Sequence, residues 1–377
     1  MVDILIIADD LTGALDSAVA FAHPGAVVRV LRDVDHLTAD VTAGVDVLCI
    51  NTNSREGSAA QAVDKIRTIA QRLDLASIPT LIKKVDSRLK GHIKAETAAL
   101  ADLSGRTDII AVPAIPDMGR IQKNGFLVGV GSGSGLANPC TMTDKFPDDS
   151  VIPDVDDLDD LDRLIALAPK ASLWVGARGL AFALARVMAR LSAQSLERPS
   201  AHKKTDPQKS EFTSLHGPLW VAVGSRDPIT VAQAEQLART HPIQMAPNGV
   251  NSEVHQTGAV TTLQLTKGAF DISGYEAGRQ LSTSLCAALG QYRPRTLLVC
   301  GGETANAILD RLEINTFDVI TEVCEGLPLC RGIAPWGPID IVTKSGGFGD
   351  VNLLTRLAHL VECEQDDLPK SANSESL

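Results

Sequence analysis

Short apolar runs rich in β-branched residues recur along this chain, and most end in a polar or glycine-rich turn before a helical pattern begins. The first is Ile4-Leu5-Ile6-Ile7-Ala8, followed by Asp9-Asp10-Leu11-Thr12-Gly13 and a helical pattern over 14–22. Strand patterns follow at 26–31, 45–50, 79–85, 108–112 and 172–176, and helical patterns at 57–72, 91–103 and on to about 191. Strands separated by helices pair in parallel, because a tight hairpin cannot close a parallel pair. The pattern therefore predicts an α/β fold with mostly parallel sheets and helices on both faces.

At 377 residues the chain is long enough for two domains. The polar stretch 195–216 reads as a linker between a domain at 1–194 and a second at 217–362, where strands at 218–223, 297–300 and 340–344 repeat the strand-and-turn plan. The acidic, Ser-rich segment 363–377 reads as a disordered tail. A formal charge of −11 argues against nonspecific binding to nucleic acid or an anionic membrane, and 3% aromatics argue against a base-stacking platform. Seven Cys without a C-x-x-C pair or zinc spacing indicate reduced thiols. The N-terminus lacks a basic region, and Asp9 and Asp10 interrupt its apolar run, unlike a signal peptide. The longest apolar helical stretch, 173–191, carries Arg178, Arg186 and Arg190 and does not suit a membrane. The expected location is cytoplasmic.

A parallel sheet gathers the carboxyl ends of its strands on one edge, where open α/β sheets bind ligands. The tails gathered there are Asp9-Asp10, Asn53 to Arg55, Lys83-Lys84-Val85-Asp86 with Arg88, and the loop from Pro113 to Arg120. Adjacent acids destabilise a fold unless cations meet them, and Arg can grip a carboxylate with two bonds. Alone, Asp9-Asp10 reads equally as a helix cap beside a solvated neighbour. A D-x-D-x-T phosphatase register ending at Thr12 would put its nucleophile at Ala8, so it lacks the nucleophile. The glycine-rich 129–135 segment fails G-x-G-x-x-G and reads as a flexible loop. Six Asp between 154 and 162 read as an acidic helix start rather than a metal site.

In the second half, strands end in Gly224-Ser225, Gly301-Gly302-Glu303-Thr304 and Lys344-Ser345-Gly346-Gly347-Phe348-Gly349. Glycine at a strand end lets backbone N–H groups approach a phosphate, and the following helix presents its positive end. Three such ends predict a nucleotide-phosphate cradle, although neither a P-loop nor the protein-kinase signature set is present.

Taken in order, Ala8-Asp9-Asp10-Leu11-Thr12-Gly13-Ala14, Lys83 to Gly91, Pro113-Ala114-Ile115-Pro116 with Gly119-Arg120, Gly301 to Ala305 and Lys344 to Gly349 resemble the four-carbon acid sugar kinase family over roughly 4–360. The resemblance implies a sugar-acid-binding N-terminal domain, a nucleotide-binding C-terminal domain and an active cleft between them. It implies ATP- and Mg²⁺-dependent phosphorylation of the terminal hydroxyl of an acid such as D-threonate, D-erythronate or an oxo-tetronate. Carried over by motif, Asp10, Arg55 and the Lys83-Lys84-Val85-Asp86 run would hold the substrate, with Asp10 or Asp86 as the base; Asp9, Asn53, Arg88 and Arg120, on the same strand-end tails, complete the expected substrate site. Asp10 is the expected cleft carboxylate, while Asp9 is left to serve the following helix. ATP residues are Ser225, Gly301, Gly302, Glu303, Thr304, Lys344, Gly346 and Gly347; no metal ligands are assigned. The family's usual Asp-Ser-Thr-Leu-Arg-Gly appears here as Asp86-Ser87-Arg88-Leu89-Lys90-Gly91, which adds a cation. The expected ligand is a small sugar acid, with room for a homodimer. A dinucleotide-dependent dehydrogenase and a non-catalytic sugar-acid sensor are the alternatives.

Overall fold

The computed structural model describes residues 2–129, 139–195 and 215–366. Most of 195–216, residues 130–135 of the glycine-rich loop and 367–377 of the tail lie outside the described residues. The chain divides into two compact units, which are described separately.

The first unit carries β1 (Ile4–Ala8), β2 (Val28–Leu31), β3 (Val47–Asn51), β4 (Thr80–Lys84), β5 (Ile109–Val112), a small antiparallel sheet of β6 (Ile121–Lys123), β7 (Phe126–Val128) and β8 (Cys140–Thr141), and β9 (Leu173–Gly176). Its helices are α1 (Leu11–Ala18), α2 (Ala39–Thr42), α3 (Ala59–Arg72), α4 (Ile93–Ser104), α5 (Leu158–Leu167) and α6 (Arg178–Ser195). The main strands run in parallel in the order β2-β3-β1-β4-β9-β5. Every residue of β1 and β3 is buried, as expected for parallel strands covered on both faces. Leu5, Ile7, Leu48 and Leu81 share a core with Ile66 and Ile69 of α3 and Ile93 and Leu100 of α4. The acidic run does open a helix: Asp157 caps α5 by accepting the N–H of Asp160.

The second unit contains β10 (Leu219–Val223), β11 (Ile243–Pro247), β12 (Val260–Thr266) and β13 (Thr296–Cys300). After β14 (Thr316–Glu322) come β15 (Pro328–Ala334) and β16 (Gly337–Lys344). The helices are α7 (Pro228–Leu237), α8 (Gly274–Tyr292), α9 (Gly302–Arg311) and α10 (Leu353–Asp366). Its strand order is β11-β12-β10-β13-β16-β15, parallel except for β15.

Two bounds differ from the sequence expectation. Residues Asn315–Thr321 fall in the first unit: β14 pairs antiparallel with β2, and Asp318 meets Arg29 at 2.7 Å. Residues 363–366, expected in the tail, continue α10. The apolar stripe of that helix, Leu353, Leu354, Leu357, Ala358 and Val361, is buried and carries it past the expected end.

Strand register aligns the predicted tails. Ala8 pairs with Asn51 and with Lys84, and Lys84 with Gly176, so the turns after β3, β1, β4 and β9 lie side by side. In the second unit Val223 pairs with Cys300 and Cys300 with Lys344, which aligns the three glycine turns.

Candidate functional site

Arg55 is the centre of the first unit's site. Its Nε and Nη2 donate to the two oxygens of Asp9 at 2.8 and 2.9 Å, its Nη1 donates to Asp10 Oδ2 at 2.9 Å, and Asp86 Oδ1 lies 3.5 Å from the same Nη1. The structure adds a cap to Asp10, the expected cleft carboxylate, and buries Asp9, expected to serve the helix. Asp10 has extended backbone (φ −143°, ψ 159°) and caps α1, accepting the N–H of Gly13, while Asp9 is the buried partner of Arg55. Burial alone would raise the Asp9 carboxyl, but the Arg55 hydrogen bonds and the charges of Lys83, Arg55 and Lys84 hold it below its ordinary value.

The two lysines diverge because successive strand side chains point to opposite faces. Lys84 Nζ donates to the Val85 carbonyl at 2.9 Å and stands over the start of α1, where a Cβ on Gly13 would come within 2.8 Å of it. Lys83, expected as a substrate group, is instead fully buried against Glu96 of α4 at 3.1 Å. Val85 is likewise no side-chain ligand: it lies in the core and supplies its carbonyl to Lys84.

Around this network, Asp86 Oδ2 accepts the N–H groups of Arg88 and Lys90 at 2.8 and 3.3 Å. Leu89 sits between them at φ 56°. That backbone region costs a residue on the order of 1–3 kcal/mol; burial of its side chain and an N–H bond to the Asp86 carbonyl hold Leu89 there. Arg88 and Asn53 are exposed. Burial and the charge of Arg88 pull the half-buried Arg120 guanidinium below its ordinary value, against the opposing charges of Asp86 and Asp16. Sequence reasoning missed Asp16, which pairs with Arg178 at 2.5 Å, and Glu96. Glu96 had a signal: it falls on the stripe Ile93, Glu96/Thr97 and Leu100, which marks an acid on the buried face of a helix.

In the second unit, α9 begins at Gly301 without a side-chain cap, which leaves its first N–H groups for an anion. Gly301 has φ 112°, and a Cβ there would stand 3.3 Å from Ser225 N. Across the neighbouring turns, a Cβ on Gly346 would come within 2.5 Å of Ser225 Oγ, and one on Gly347 within 3.2 Å of Asp227 Oδ2. Glu303 is exposed in the first turn of α9, whereas Thr304 is buried and packs against Gly224. Lys344, expected at the nucleotide, is instead a buried clip. Its ammonium donates to Thr230 Oγ1, the Ser345 carbonyl and the Gly346 carbonyl at 2.9, 2.9 and 3.1 Å. An ammonium has three donors, so none remains for a phosphate.

Beside Ser225 opens a cavity of about 420 Å³, walled by Val231, Leu265, Phe270 and Ile272, with Asn248 and Gln264 among its polar groups. Asn248 staples the far wall, accepting the N–H of Gly268 and donating to the Phe270 carbonyl at 2.9 and 2.7 Å. Among the described residues no group of three or more His, Cys, Asp or Glu could hold a metal, and no helix is long and apolar enough to cross a membrane.

Residues 4–145 match the family described as the sugar-binding N-terminal domain, and residues 251–354 the nucleotide-binding C-terminal domain. A D-threonate kinase of Bordetella bronchiseptica is 29% identical, covering 94% of this chain and 96% of its own length. A 3-oxo-tetronate kinase of Pectobacterium atrosepticum is 26% identical over 94% of this chain and 98% of its own. A solved structure from Salmonella typhimurium LT2 shares the fold with a TM-score of 0.72 at 20% identity, covering 94% of this chain and 98% of its own. With both domain matches in order along more than half of its length, the chain belongs to the family that its motifs resemble, the four-carbon acid sugar kinases.

Proposed function

We propose that the protein is a kinase that uses ATP to phosphorylate the terminal hydroxyl of a four-carbon acid sugar. The observation that carries this reading is the uncapped glycine turn at the start of α9, flanked by the turns after β10 and β16. It offers backbone donors to a polyphosphate in a chain whose other unit gathers Arg55, Asp9, Asp10 and Asp86. The names of the full-length relatives support the same reaction class.

In this reading Ser225, Gly301, Gly302, Glu303, Thr304, Gly346 and Gly347 form the phosphate cradle, and the adjoining cavity takes the nucleoside. Mg²⁺ bound with the nucleotide neutralises phosphate charge, and Asp227, beside the Gly347 turn, is the acid placed to meet it. Lys84, Arg88 and Arg120 are the cations for the acid's carboxylate and the transferring phosphoryl group, and Asn53 and Arg55 complete the acid's surroundings. The general base is Asp86. Asp10 accepts from Gly13 N, Thr12 Oγ1 and Arg55 Nη1. By contrast, among the described residues Asp86 Oδ1 faces only the 3.5 Å contact to Arg55, which leaves lone pairs for a substrate hydroxyl.

The test is ADP release across the stereoisomeric tetronates and the 2- and 3-oxo-tetronates. The expected result is ATP- and acid-dependent ADP release with at least one of them. Acid binding without ADP release would favour the sensor, and acid-dependent reduction of NAD⁺ the dehydrogenase. A second prediction concerns the cradle. Gly301→Ala forces a Cβ into a backbone region suited to glycine, and is expected to raise KM for ATP at least tenfold while KM for the acid stays within about twofold. Equal changes in both constants would show that the turn does not serve the nucleotide.

A further inference from the structure

A buried polar chain runs from α4 to the residue before Arg55. Lys83 and Glu96 form an ion pair with side chains 0% and 1% exposed. The other Glu96 oxygen, Oε1, accepts the hydroxyl of Ser54 at 2.7 Å, and Ser54 Oγ lies 2.8 Å from Thr52 Oγ1. Each hydroxyl has one proton to give. With the Ser54 proton on Glu96, the Thr52 hydroxyl either donates to Ser54 or to the Ala8 carbonyl at 3.0 Å, a carbonyl that the Thr52 N–H already serves at 2.8 Å. Either way the Ser54 end of this relay gives its proton to a charged acceptor, the strong kind of hydrogen bond. The backbone N–H groups of Ser54 and Arg55 in turn reach the Asp9 carbonyl at 3.1 and 3.4 Å.

We infer that Glu96 is a positioning residue: through Ser54 it fixes the loop from which Arg55 reaches Asp9, Asp10 and Asp86, and so sets affinity for the sugar acid. The inference rests on the reading that the first unit holds that acid. Net stability is a weak reason for burying Lys83 and Glu96, because a buried ion pair is often no more stabilising than an apolar pair of the same volume. What an apolar pair cannot do is hold a hydroxyl at a defined point. Ser54 is the only described link from Glu96 to this loop, and it touches no part of the Arg55 guanidinium cluster through its own side chain.

The test is Ser54→Ala, which cuts the relay and leaves the Lys83–Glu96 pair intact, with Ser54→Thr as the variant that keeps the hydroxyl. Two measurements are made on the full chain. In the first, hydrogen exchange of the 51–57 segment without ligand is expected to be roughly tenfold faster in Ser54→Ala, with other segments of the first unit unchanged and with Ser54→Thr close to wild type. In the second, KM for the acid that the wild type phosphorylates is expected to rise roughly tenfold in Ser54→Ala, with kcat and KM for ATP within about twofold. Wild-type exchange in the 51–57 segment of Ser54→Ala overturns the inference, and so does an unchanged KM for the acid. If the wild type phosphorylates no four-carbon acid, the functional proposal fails, and the exchange measurement still decides whether Glu96 and Ser54 hold the loop.

Discussion

Asp86→Asn is expected to lower kcat by about 10²–10⁴-fold, the range usual for loss of a general base, with little change in the thermal midpoint. The amide keeps the size of the carboxylate, and its oxygen can still accept the N–H groups of Arg88 and Lys90 that Asp86 Oδ2 accepts now. What it cannot do is take a proton. The comparison is Asp10→Asn. Asparagine caps helices about as well as aspartate, so α1 keeps its start, and the loss is confined to the bonds from Thr12 and Arg55. That variant is expected to act mainly on KM for the acid, because Asp10 orients Arg55 rather than receiving the proton. Steady-state kinetics of both variants decide the assignment: if Asp10→Asn costs more in kcat than Asp86→Asn, the base is Asp10.

Much of this site can be read from the sequence because a parallel sheet converts a list of strand ends into one edge. Ile4 to Ala8 and the runs at 45–50 and 79–85 are apolar enough to be read as buried strands, so the charges that follow them must meet. Which oxygen meets which donor is not local information. Asp9 and Asp10 are chemically identical neighbours. Their roles are set by the extended backbone at Asp10 and by the position of Arg55, 46 residues beyond Asp9 in the chain. Lys83 and Lys84 could be assigned to opposite faces from strand alternation alone, but the acid that takes up Lys83 comes from α4, and the choice of face belongs to the tertiary fold. Lys344 reads as a phosphate ligand because it precedes Gly346-Gly347; two of the acceptors that use its protons are carbonyls of that same turn, and the third, Thr230, comes into reach only when α7 packs beside it. The exchange of β14 into the first unit is least legible of all, since its alternation fits either sheet and only the pairing with β2 decides it.

The largest effect on stability is expected at Arg55. Arg55→Met leaves Asp9 with its carboxylate buried and without its bidentate partner, and removal of one partner from a buried ion pair typically costs about 3–5 kcal/mol. Asp9→Asn is expected to cost less, because the amide needs no counter-charge. In the double variant the penalties should not add: a coupling of about 0.5–3 kcal/mol is expected for residues in direct contact. The pH dependence supplies the sign. Arg55 holds the Asp9 carboxyl below its ordinary value of 3.8 in the folded state, so its contribution is fully present above that value and is lost as pH falls through the lower folded one. The stability difference between wild type and Arg55→Met, measured by urea unfolding, should therefore be widest near pH 7 and narrow below about pH 4. In Asp9→Asn the Arg55→Met difference should be smaller at pH 7 and should vary less across the same range, because the buried titrating partner is gone and only Asp10 and Asp86 remain beside Arg55. A gap that stays constant with pH in both backgrounds would show that the arginine stem stabilises the loop by packing, and that its charge on Asp9 contributes little.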